Sequence, residues 1–171
     1  MLREISRPQE GEYNSYFQRY IDKVKGNPIQ ALEDQLEYYL EYIKTNSDRM
    51  DYRYAEGKWS IRESLMHVID TEQIFAYRAL RISRGDKTAL AGFDQDDYIA
   101  NSNFDHISPS DLIELFTNQR QNTISMMKRF TEEQLKNLGV ASGSDTSVRA
   151  LVYMTAGHAQ HHIDIFEERY A

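Results

Sequence analysis

The sequence predicts an all-α fold, a four-helix bundle built in one domain. Apolar residues recur at steps of three and four in four long segments, which is the helical period. A cap signal stands at or near the start of each of those segments. Helix breakers are scarce, with three prolines and eight glycines in 171 residues, and no strand-like alternation persists. Four long helices on one domain imply a bundle whose ligand sites are made by facing helices.

The elements follow in order. Residues 12–25 predict a weak, tyrosine-rich helix around Tyr13, Tyr16, Phe17, Tyr20 and Ile21. Asn27-Pro28 then supplies an N-cap and a proline at the first helical position. The stripe Ile29, Leu32, Leu36, Tyr39, Ile43 follows, ending near Asn46, and residues 48–58 read as loop. Ser60-Ile61-Arg62-Glu63 is a capping box for the second long helix. Its inward stripe runs Ile61, Leu65, Val68, Glu72, Phe75, Ala79, Ile82, and Gly85 is placed to stop it. Residues 85–107 make a long connection with a short helix at 94–101, suited to a crossover or a lid. Ser108-Pro109-Ser110-Asp111 starts the third long helix, with Leu112, Phe116, Gln119, Thr123, Met126 and Phe130 inward. Thr131–Gln134 opens a short helix, 139–145 reads as a small-residue loop, and Asp145 or Thr146 caps the last helix.

That last helix carries the most informative pattern. Val148, Leu151, Thr155, His158, His162 and Ile165 form one stripe, so two histidines stand where a core would place Leu or Val. Their four-residue spacing stacks them one turn apart. Buried imidazoles need partners, and a divalent metal would serve both. Three histidines with an open position make a catalytic metal site, yet the residues alone leave the third ligand open. His67 lies on the second long helix, on a face with Ser60, Ser64, Thr71, Ile74 and Arg78, where small polar neighbours leave room for a ligand. His106 lies in a loop. His161 is only ~60° around the helix from His158. Imidazole suits Zn, Ni, Cu and Fe alike. Ala159 follows His158 where a metallopeptidase of the H-E-x-x-H type carries Glu, which argues against that chemistry.

Composition narrows the rest. A net charge of −7 argues against nucleic acid or an anionic membrane as the main partner. No stretch approaches a membrane span and no signal peptide is apparent, so a cytoplasmic location is expected. The chain has no cysteine, so thiolate metal sites and a cysteine nucleophile are excluded, and any thiol chemistry needs a thiol from outside.

Three blocks resemble the DinB-like superfamily. Lys58-Trp59-Ser60 through His67-Val68-Ile69-Asp70-Thr71-Glu72, with Phe75–Leu80, is similar to its first histidine block. Gly92-Phe93-Asp94 with Asp97-Tyr98 resembles its middle segment. Val148–Leu151 with Ala156-Gly157-His158-Ala159-Gln160-His161-His162 resembles its terminal block. The resemblance covers the chain from about residue 28 onward, making 1–27 an N-terminal extension packed on one domain spanning 1–171. It implies an up-down-down-up bundle with short extra helices, a metal triad of His67, His158 and His162 holding Zn or Ni, and a homodimer. It also implies that His106 and His161 are not ligands.

Other residues have both functional and ordinary readings. Asp70, one turn from His67, could orient an imidazole or act as base, or be a surface carboxylate. Glu72 in an apolar stripe should be paired, with Arg78, Arg62 or Arg149 as partners. Arg78 and Arg81 could receive an anionic substrate, although exposed helical arginines are ordinary. Trp59 reads as a hydrophobic staple. The leading expectation is a metal-dependent enzyme that transfers a low-molecular-weight thiol to an electrophilic small molecule. Alternatives are a metal-dependent hydrolase activating water at the same site, and a non-catalytic metal-binding or stress-response module.

Overall fold

The long helices begin where side chains satisfy their first amides. A computed structural model describes residues 4–171, so the first three residues of the expected N-terminal extension lie outside the described residues. The helices are α1 (Gln18–Ile21), α2 (Pro28–Thr45), α3 (Ile61–Ser83), α4 (Gln95–Ala100), α5 (Pro109–Met127), α6 (Glu132–Lys136) and α7 (Val148–Arg169). Asn27 caps α2, and reciprocal capping boxes open α3 (Ser60/Glu63), α5 (Ser108/Asp111) and α6 (Thr131/Gln134). The weak helix expected at 12–25 is a 3₁₀ turn, Ser15–Phe17, running into the single turn of α1.

Two expectations fail between α6 and α7. Residues read as a loop form a hairpin of β1 (Leu138–Ala141) and β2 (Ser144–Ser147), with Leu138 opposite Ser147 and Ala141 opposite Ser144. Its two-residue turn, Ser142-Gly143, has positive φ at both positions (51° and 76°), which twists with the strands. Four-residue strands are too short for a period-two pattern to register, which is why the sequence hides them. Asp145 and Thr146 lie inside β2, and the cap of α7 is the last residue of that strand, Ser147, accepting from the Ala150 amide.

Side-chain contacts establish the helix directions. Gln35 meets Ala156 and Tyr42 meets Phe166, so α2 and α7 run parallel. Tyr39 stacks on Phe116 while Lys128 pairs with Glu33, so α2 and α5 are antiparallel. Arg62 reaches Ile107, just ahead of α5, and Arg120 reaches Glu72, so α3 and α5 are parallel. The order is up-down-down-up. Helices α2 and α3 each pack on both α5 and α7, which puts α2 and α3 on opposite corners.

The core is two apolar clusters separated by a polar layer. One holds Ile29, Leu32, Phe75, Ile82, Met127 and Leu151; the other holds Tyr39, Ile43, Leu65, Phe116, Ile163 and Phe166. Between them every long helix contributes buried polar groups: Gln35, Thr71 with Glu72, Arg120 with Thr123, and Thr155 with His158. Arg120, wholly buried, donates to both oxygens of Glu72 (3.1 and 2.9 Å from Nε) and to the Leu32 carbonyl (2.8 Å). None of the three arginines expected to pair with Glu72 does so. Arg62 pairs with Asp51, Arg149 with Glu12, and Arg78 bonds Ala91 and Ser142. The inward line of α5 passes through Arg120, Ile124 and Met127, whereas Gln119 and Met126 are only partly buried. No helix among the described residues is long and apolar enough to cross a membrane.

The N-terminal segment is held on α7 by Ile5, whose carbonyl accepts from Tyr153, and by Glu12, which pairs with Arg149. Close approach requires Gly157: a Cβ there would lie 2.0 Å from the Tyr20 carbonyl oxygen. Alanine is the better helix former by roughly 1 kcal/mol, but backbone contact this tight overrides that preference. Gly157→Ala is expected to lower stability by about 1–3 kcal/mol as α1 is pushed from α7. Denaturant unfolding with amide exchange across residues 12–24 reads both effects; an unchanged midpoint and unchanged protection would refute the packing.

Candidate metal centre

His67 projects from α3 toward His158 and His162 on the antiparallel α7. The i, i+4 spacing on α7 puts the latter two rings 4.6 Å apart, and the His67 ring lies 4.9 and 5.0 Å from them. Nε2 of His67 is 3.0 Å from Nε2 of His158. One ligand atom from each residue falls within a 4.8 Å span. Nitrogens bound tetrahedrally at the Zn–N distance stand about 3.3 Å apart, so small side-chain adjustments bring all three to one ion. Among the described residues no fourth His, Cys, Asp or Glu joins the cluster, which leaves a position for a small molecule.

Electrostatics agree with a ligand role. All three imidazoles are buried, and burial is the first cause that lowers each pKa: His67 to about 4, and His158 and His162 well below the ordinary value. Mutual repulsion adds to this for His158 and His162. Neutral imidazole is the metal-binding form. Thr71 Oγ1 makes a long 3.5 Å contact with Nδ1 of His67, one turn along α3.

Above His67 and His158 opens a cavity of about 330 Å³, within the range of small-molecule sites. Its aromatic wall includes Phe17 and Tyr20 from the N-terminal segment, Phe75 from α3, and Phe93 from the 84–94 connection. The Tyr20 ring meets His158 edge-on at 5.4 Å, and burial pushes its phenol up to about 12. On the other side, the Trp59 ring lies 4.8 Å from His67, so the residue read as a staple also walls the site. Sequence reasoning missed Tyr20 and Phe17 because aromatic richness carries no address; only the close approach at Gly157 brings them here.

The other candidates fall elsewhere. His106 is exposed in the connection before α5. His161 is half-buried, its ring 5.3 Å from those of Tyr20 and His162, outside the three-nitrogen cluster. Asp70 is partly buried, which raises its pKa; it does not line the cavity, and its carboxylate makes no hydrogen bond to an imidazole. Arg81 pairs with Asp86, whereas Arg78, for which both an anion-receiving role and an ordinary exposed position were open, is buried and lines the cavity.

Comparison with known proteins places these features in a wider set. A sequence profile described as the DinB superfamily matches residues 30–165. A protein of Oceanobacillus iheyensis, described provisionally as a metal-dependent hydrolase, is 26% identical over 149 residues, spanning 83% of this chain and 85% of its own. The YfiT protein of Bacillus subtilis, provisionally a metal-dependent hydrolase with an unusual four-helix bundle topology, superposes with a TM-score of 0.73 at 17% identity, over 95% of this chain and 90% of that one. The mycothiol-dependent maleylpyruvate isomerase superposes with a TM-score of 0.64 at 14% identity, over 79% of this chain and 57% of that one. At such identities the two solved structures speak for the fold.

Proposed function

The chain belongs to the DinB superfamily, and from that premise we propose that it is a metal-dependent enzyme joining a low-molecular-weight thiol to an electrophilic small molecule. His67, His158 and His162 are its metal ligands in this reading. The observation that carries it is a cluster of three buried imidazoles, two of which, His67 and His158, line a small-molecule cavity, with no carboxylate hydrogen-bonded to any of the three among the described residues.

A divalent ion, Zn or Ni, bound there would supply Lewis acidity and lower the pKa of a thiol or water presented to it. The protein's own part is to hold His67 and His158 at close range from two helices and keep them unprotonated. Phe17, Tyr20 and Phe75 limit water around the reacting groups, and Thr71 steadies His67. The chain contains no cysteine, so it offers no competing thiol of its own.

Thiol transfer is favoured over hydrolysis on proton chemistry. A thiol with pKa near 8.5 needs little help to ionise at neutral pH, whereas water activation gains from a base within hydrogen-bond reach. Asp70 is not so placed. Hydrolysis remains the second reading because two similar proteins carry that provisional description. A purely structural metal site would need a fourth protein ligand.

Elemental analysis beside paired assays tests the proposal. We expect about one metal equivalent per chain, and turnover of electrophiles only when a low-molecular-weight thiol is supplied. Hydrolysis of an ester or amide panel without thiol would move the assignment to the second reading. Full activity after metal removal would sink both.

A further inference from the structure

The cavity over His67 and His158 holds a buried cation that has no ion-pair partner among the described residues. Arg78 is 3% exposed and lines that cavity from α3. Three other buried arginines each face a carboxylate: Arg120 has Glu72, Arg149 has Glu12 and Arg62 has Asp51. Among the described residues no carboxylate lies within ion-pairing distance of Arg78. Its two protein hydrogen bonds both leave from Nη2, to the Ala91 carbonyl at 2.7 Å and the Ser142 hydroxyl at 3.0 Å. Among the described residues Nε and Nη1 have no protein acceptor. The Phe93 ring, 5.9 Å from Cζ, offers only a distant cation–π contact. Burying a guanidinium without an anion is costly, and a fork fastened on one side and open on the other is set to take an anion from the cavity.

We infer that Arg78 is a specificity-determining residue that binds a carboxylate on the substrate, whose far end reaches the three histidines. This rests on reading the cavity as the substrate chamber of the enzyme proposed above. A single carboxylate fits better than a phosphate. Among the described residues Arg78 is the only Lys or Arg on the cavity lining, while Asp94 and Asp96 also line it and would repel a dianion. The Asp94 carboxylate is occupied in capping α4, accepting from the amides of Asp96 and Asp97. Between Arg78 and His67 the α3 wall is the Phe75 ring and, beside His67, Thr71, so the part of the ligand against Phe75 is apolar. Eleven residues of helix correspond to about 16 Å of axis, shortened by the lean of the arginine side chain toward the helix N-terminus. The ligand is therefore several atoms long.

The probes are straight-chain monocarboxylates of four to eight carbons, each beside its amide, titrated into purified protein and followed by amide NMR shifts. At least one acid is expected to bind roughly tenfold or more tightly than its amide, the scale of a charge-assisted hydrogen bond. The preference should vanish in Arg78→Gln and survive in part in Arg78→Lys, with thermal midpoints confirming that both are folded. Because carboxylates also ligate metals, the series is repeated on His158→Ala. Preference retained there assigns recognition to Arg78 whatever becomes of the metal reading; preference lost there assigns it to the histidine site and overturns the inference. Equal binding of acids and amides across the series, or an acid preference intact in Arg78→Gln, likewise overturns it. Loss of metal from wild-type histidines would instead count against the proposed function alone.

Discussion

His158→Ala is expected to remove bound metal and turnover together while the bundle stays folded. Its Nε2 lies 3.0 Å from that of His67, and it occupies the middle of the cluster between His67, His162 and the Tyr20 ring. Loss of groups merely supporting a ligand costs 10–100-fold in metal affinity or activity, so loss of a ligand should exceed about a hundredfold. Added metal at a hundred times its Kd should stabilise the wild-type protein by about 2.7 kcal/mol. The variant should gain nothing. Exposed His106 serves as control, and His106→Ala should keep both metal and activity. Stoichiometric metal with undiminished turnover in His158→Ala would show that the ligand set is wrong.

Arg120→Met is expected to be the most destabilising single change outside the apolar core. It strips Glu72, 4% exposed, of its cation and leaves a carboxylate buried between two apolar clusters. Breaking a buried pair from one side costs about 3–5 kcal/mol. For a chain of this size that is a fall in Tm on the order of 10 °C. The Leu32 carbonyl also loses its 2.8 Å hydrogen bond from Nη1. Replacing both partners, Glu72→Leu with Arg120→Met, should recover most of the loss, because apolar residues of similar volume need no counter-charge. Thermal unfolding of the two singles and the double gives the coupling. A double mutant as unstable as the sum of the singles would refute a paired, mutually compensating layer.

The pair also marks a limit of sequence reading. Glu72 stands out because it interrupts the stripe of α3. Arg120 does not stand out, because an arginine one step from an apolar stripe resembles any solvated residue. A face shift of one position on α5 separates Gln119 from Arg120, and helical periodicity tolerates that much. Which arginine meets Glu72 follows from α3 and α5 running side by side in the same direction, a property of the assembled bundle. The hairpin at 138–147 was hidden for a different reason, since four-residue strands are specified by their turn and by docking against Leu90.

By itself the sequence determined the four long helices, most of their caps, and the two out-of-place histidines on α7. These are local properties, decided by period and by hydrogen bonds spanning three or four residues. Its resemblance to the DinB-like superfamily pointed to the helix directions, which match the assembled bundle, and to His67, which the bundle brings beside His158 and His162. Tertiary structure alone decided what surrounds those imidazoles. It brought Tyr20 over His158 through the absent Cβ of Gly157, placed Trp59 against His67, left Asp70 off the cavity and buried Arg78 on it. The reason is that burial and charge pairing depend on what packs opposite a helix face, and that information lies dozens of residues away along the chain.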